Sequence, residues 1–286
     1  MPKNNTPSVI IKIIAFLIIS MIIGYFLPVD FLHIKLSTEA FQKYVNNDAL
    51  SLPQLLNVVW NENIYILSFF TFRFIILLFL GFRFKKDENL RLSRNTAIIA
   101  FSCFALSAIG YSYKLQYEFL NYGLRWQTSI TALFRYFITV ATVEEVIYRS
   151  LITNGLFRLK QNGLKIPVAI TISAIVFGLI HIDTTIINIF RFGYSSTFNS
   201  FSIFTERFIF PMGCGVSWAV ILYYKKDIVT LLCIHAANNI LSDSYFYTDN
   251  MAIGALYITF FVVFVVCYPA FLIFNASKNP KALHNG

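Results

Sequence analysis

The sequence predicts an all-α, polytopic membrane protein with about eight transmembrane helices. Three observations lead there. Of the 286 residues, 57% are apolar. Only 13% are charged, against about 25% in an ordinary soluble domain. Runs long and uncharged enough to be spans, roughly 18 residues or more, recur along the whole chain. A soluble fold this apolar would lack the polar surface to cover its core.

The spans are expected near 9–27, 64–82, 97–113, 129–156, 167–190, 208–224, 228–242 and 252–274. Lys3 and Lys12 precede the first run, and Pro28 and Asp30 follow it without a small-residue cleavage pattern. It therefore reads as a retained span, not a removed leader. The sixth and seventh spans are joined by a tight turn, Lys225-Lys226-Asp227. The seventh is short for a full crossing, so it either tilts little or extends further. Three regions follow: N-terminal helices at 1–128, a core at 129–242, and a last helix with its tail at 243–286.

The net charge of +9 does not indicate a nucleic-acid partner, because the basic residues are scattered between apolar runs. With the N-terminus in the cytoplasm, fourteen Lys and Arg fall in inside segments and six in outside loops. Both termini are thus expected inside, and a bacterial plasma membrane is the expected setting. Cys103, Cys214, Cys233 and Cys267 lie in or at the ends of apolar segments without CxxC spacing. They read as small buried apolar residues, not as a disulfide framework or zinc site.

Ionisable groups inside spans are costly and become functional candidates. Three basic residues sit there: Arg73, Arg135 and Arg149. The fourth span carries Glu144-Glu145-Val146-Ile147-Tyr148-Arg149. Glu145 and Arg149 are four apart in the favoured acid-first order, so they can neutralise each other. Glu144 is turned about 100° away with no partner in its own helix. Such a carboxyl suits a general acid or base near neutral pH. The competing reading is an ion-pair knot that locks helices together.

The fifth span carries Phe177-Gly178-Leu179-Ile180-His181, with Asp183 just beyond. The seventh carries His235-Ala236-Ala237-Asn238-Asn239. His235 and Asn239 share a face, and the alanines between them permit close helix approach. Each cluster alone also fits interhelical hydrogen bonding. Together they put a carboxylate, two imidazoles and a carboxamide at similar depth, a set that supports attack of activated water on a carbonyl.

The ordered set EExxxR, FxxxH and HxxxN resembles the CAAX-protease and bacteriocin-processing (Abi, CPBP) family of intramembrane proteases. The glycines Gly213 and Gly215 and the Tyr-rich helix end before the HAANN sequence add to it, so the resemblance covers about 129–242. It implies an intramembrane endopeptidase acting on a membrane-associated or hydrophobic peptide. By similarity, Glu144 with His181 would activate water, His235 and Asn239 would stabilise the oxyanion, and Glu145 and Arg149 would hold the geometry. No cofactor is expected. The alternative is zinc held by Glu144, His181 and His235, since two His and one Glu form a known ligand set. Against it stand the lack of HExxH and the poor affinity of Asn for zinc.

The expected partners are the lipid bilayer and a peptide or protein substrate. Two rivals remain: a proton-coupled transporter, which usually shows an inverted repeat not seen here, and a non-catalytic membrane immunity or partner protein. The loop from the fifth span to Arg207, rich in Phe, Ser and Thr, has no assigned role.

Overall fold

The computed structural model describes residues 6–26, 35, 37–46, 48, 50–83, 94–122, 133–192 and 204–278. Among these, all regular structure is helical. The elements are α1 (Thr6–Phe26), α2 (Thr38–Val45), α3 (Leu52–Phe79) and α4 (Arg94–Tyr122). They continue as α5 (135–162), α6 (Ile166–Phe192), α7 (Thr205–Lys225), α8 (Ile228–Thr248) and α9 (Met251–Lys278).

Each of the eight predicted spans falls on a helix. Among the described residues, four helices are long and apolar enough to cross a membrane: those at Pro7–Phe26, Arg94–Leu120, Thr205–Lys225 and Met251–Lys278. A fifth joins them if the two arms of α3, Leu52–Asn61 and Ile66–Phe79, bent by 53°, count as one span. Of the remaining segments, Ile166–Ile182 is apolar but shorter, while α5 and α8 hold polar motifs that lower their hydropathy. Large apolar side chains face outward, among them Phe26, Phe79, Phe101, Phe104 and Leu120. Outward-facing apolar groups on this scale require lipid, and the chain is an integral membrane protein.

Helices α2 and the first arm of α3 were not expected. The sequence reads there as polar and Pro-containing, but Pro53 opens α3 at a position where its missing N–H costs nothing. Gln54 accepts the Ser51 N–H at 3.0 Å. The tight turn before α8 forms as expected: Lys226 adopts φ 53°, and the Asp227 side chain caps Val229 N at 2.9 Å. The seventh span extends well beyond 242, to Thr248. Asp243 does not end the helix because it is paired across to Lys114 of α4 and accepts from the Tyr136 hydroxyl at 2.8 Å. At 21 residues α8 is about 30 Å long.

Helix α8 lies at the centre, packed most extensively on α4 and also on α5 and α9, while α6 lies along α7 and α1. Gly178 of α6 marks a close approach to α7, because a Cβ there would lie 2.9 Å from the Phe208 carbonyl oxygen. Of the cysteines, Cys103 and Cys214 are buried and Cys233 is half-buried. Cys267 departs from the expectation: it is exposed on α9, a face that lipid covers.

Candidate active site

Helix α5 supplies both acids. Its segments Arg135–Thr142 and Glu145–Thr153 are wound in the wide i→i+5 manner, which recurs at functional sites. From Glu145 to Thr153 every residue but Val146 is buried. The expected Glu145–Arg149 pair forms, with Nε 3.6 Å from Oε2 and both side chains almost wholly inaccessible. The Arg149 guanidinium lies 4.3 Å from the Phe177 ring centroid and 5.5 Å from that of Trp218. Cation–π contact thus surrounds a charge that has no water.

Helices α6 and α8 bring the imidazoles. His181 Nε2 lies 3.6 Å and His235 Nε2 3.7 Å from the same atom, Glu144 Oε2. That oxygen is buried and, among the described residues, accepts no hydrogen bond. The separations exceed direct hydrogen bonds. The other ring nitrogens are already engaged. His181 Nδ1 donates to the Phe177 carbonyl at 2.7 Å, and His235 Nδ1 donates to Glu145 Oε1 at 2.8 Å. A backbone carbonyl only accepts, so neutral His181 carries its proton on Nδ1 and turns the Nε2 lone pair to Glu144. The side chain of His181 is 25% exposed, against 8% for Glu144, so the site opens on the α6 side.

A family model described as type II CAAX prenyl endopeptidase Rce1-like matches residues 126–241. Residues 126–241 are Rce1-like. The resemblance drawn from the three motifs is borne out over the stretch that contains them. No curated protein and no solved structure matches the chain.

Within the Rce1-like segment, Asn239 stands one turn beyond His235 on α8 and is half-buried, while neighbouring Asn238 is buried. Asn238 Oδ1 has no hydrogen-bond partner among the described residues. The Asp183 side chain and residues 193–203 of the unassigned loop lie outside the described residues. Among the described residues no group of three His, Cys, Asp or Glu side chains is arranged to hold a metal ion.

Sequence reasoning missed the aromatic wall of the Rce1-like site. Trp218 of α7 stacks on His235 with centroids 4.3 Å apart and 30° between planes. Phe177 touches His181 at 4.3 Å and Trp218 at 5.4 Å. Phe177 was legible as a motif letter, but Trp218 lies outside all three motifs and carried no signal. Arg73 of α3 was noted only as an intramembrane cation. It lies outside the Rce1-like segment, yet its Nη1 donates to the Tyr148 hydroxyl at 2.7 Å. An apolar cavity of about 790 Å³ lined by Cys103, Phe104, Cys233 and Ala237 lies on the face of α8 opposite His235, since positions two residues away point about 160° apart.

Proposed function

We propose that the protein is an intramembrane endopeptidase of the glutamate type, cleaving a peptide bond of a membrane-associated or hydrophobic peptide. The observation that carries this reading is the convergence of two imidazole Nε2 atoms on one buried oxygen, Glu144 Oε2, at 3.6 and 3.7 Å. That spacing is too long for a direct hydrogen bond and is one that a bridging water spans, within reach of base and imidazole.

In this mechanism Glu144 and His181 take a proton from the water as its oxygen attacks the scissile carbonyl carbon. His235, as an imidazolium whose Nδ1–H stays on Glu145 and whose Nε2–H faces the carbonyl oxygen, and Asn239 donate to the developing oxyanion. The C–N bond then breaks, and the proton held at Glu144 and His181 passes to the leaving amine. Trp218 and Phe177 keep the imidazoles in place and exclude bulk water. The reading includes eight crossings with both termini in the cytoplasm, following the positive-inside count. Polar α5, α6 and α8 then stand shielded by the apolar helices around them, so they need not be apolar themselves. The catalytic core is assigned to 129–242, and the mechanism uses no metal.

The test is cleavage of a fluorogenic peptide library, prenylated and unprenylated, by the purified protein in detergent. Wild type should cleave, while Glu144→Ala and His181→Ala, present at normal abundance, should lose roughly 10²–10⁴-fold in rate or more. Full activity in Glu144→Ala would overturn the mechanism. Absence of cleavage by every protein would shift the reading to a binding or transport role.

A further inference from the structure

Two carboxylates, Glu144 and Glu145, are buried side by side, and Arg149 pairs with Glu145. A second guanidinium is buried nearby. Arg73 of α3 is only 3% exposed. Its Nε donates to Ser20 Oγ of α1 at 2.7 Å, and its Nη1 donates to Tyr148 Oη of α5 at 2.7 Å. Its plane stacks 3.7 Å from the Phe69 centroid. Tyr148, which accepts from Arg73, follows Glu144 by one turn of α5. Ser20 and Arg73 both lie outside the stretch with the family match.

We propose that Arg73 is a positioning residue of the active site: it fixes Tyr148, and with it the turn of α5 that aims Glu144 at the two imidazoles, and it balances the charge of Glu144. The fork of a guanidinium serves Ser20 and Tyr148 at once while its face rests on Phe69. Lysine has neither the fork nor the face. A cation buried against Tyr148, one turn from Glu144, also limits the cost of an ionised carboxylate in a dry interior. The N-terminal helices are thereby part of the site, although the family match does not reach them. The proposal takes Glu144 as the acting base, as above, but its main test does not depend on turnover.

That test is a double-mutant cycle of thermal unfolding midpoints for purified wild type, Arg73→Gln, Glu144→Gln and the double variant. Arg73→Gln should lower the midpoint, and adding Glu144→Gln should restore about half the loss or more, the non-additivity expected of coupled groups. Additive midpoints would overturn the charge balance. If Arg73→Gln does not accumulate, recovery of the double variant supports the proposal, and failure of both overturns it. Kinetics provide the second arm. Tyr148→Phe and Arg73→Lys should lower kcat by roughly tenfold or more with KM unchanged, as small misplacements of a catalytic group do. Unchanged kcat in both, beside an active wild type, would overturn the positioning role. A wild type that cleaves nothing removes the protease reading, while the midpoints still decide whether Arg73 and Glu144 are coupled.

Discussion

His235 Nδ1 lies 2.8 Å from Glu145 Oε1, while the other oxygen of that carboxylate stands 3.6 Å from Arg149 Nε. One carboxylate thus orients an imidazole on α8 and neutralises a guanidinium on its own helix. The second acid of the EExxxR motif is a junction between α5 and α8, which explains why two adjacent acids occur where even one is costly.

Removing one side of that junction should destabilise the protein. Arg149→Ala leaves Glu145 charged at 1% exposure without its guanidinium, although His235 stays bonded to it, for which a loss of about 3–5 kcal/mol is expected. Abundance in the membrane fraction and the unfolding midpoint in detergent measure it. Glu145→Gln combined with Arg149→Met should recover most of the stability, because replacing both partners removes the buried charge. It should not recover turnover, since His235 Nδ1 then faces a neutral amide and loses the charge of its carboxylate partner.

Asn239 should affect rate and not binding. In Asn239→Ala, kcat is expected to fall by roughly 10²–10³-fold with KM nearly unchanged, as for the loss of one oxyanion donor. Steady-state kinetics on a cleaved peptide decide this. A rise in KM alone would assign Asn239 to substrate binding instead.

Gly178 should be intolerant of a side chain. A Cβ there meets the Phe208 carbonyl oxygen at 2.9 Å, and backbone cannot yield as a side-chain tip can. Gly178→Ala is expected to cost about 1–3 kcal/mol, as overpacking does, and to shift His181 by moving α6 from α7. Thermal unfolding and kcat measured together should both fall. Gly213→Ala is the control, because a Cβ there meets nothing within 4 Å.

Turnover should persist in a strong chelator. If dialysis against chelator abolished cleavage and zinc restored it, the ligand set Glu144, His181 and His235 would replace the glutamate mechanism.

The three motifs were legible because polar residues in apolar runs stand out against everything around them. Glu144, His181 and His235 lie on three helices, and helical spacing alone gave their faces. The Glu145–Arg149 pair was legible for the same reason, being local to one helix. The bond from Glu145 to His235 was not, since it joins residues 90 positions apart and no periodicity reports that. Arg73 posed the same problem: its cost in the membrane was evident, but its partners Ser20 and Tyr148 are 53 and 75 positions away. Helix α2 and the first arm of α3 escaped because each is shorter than a membrane span and interrupted by polar residues, so neither stands out as a long uncharged run.

The contact from Ser20 through Arg73 to Tyr148 also implies an order of assembly. Synthesis runs from the N-terminus, and early segments begin to fold first. Arg73 is made 75 residues before Tyr148, so it enters the bilayer before either carboxylate of α5 has left the ribosome. Ser20 is already present to accept from its Nε. Helices α1 and α3 therefore form a receptor for the catalytic helix, and the acids arrive at a cation already in place. Helices α6, α7 and α8 follow in the chain, so both imidazoles, Trp218 and Asn239 are made after the two acids.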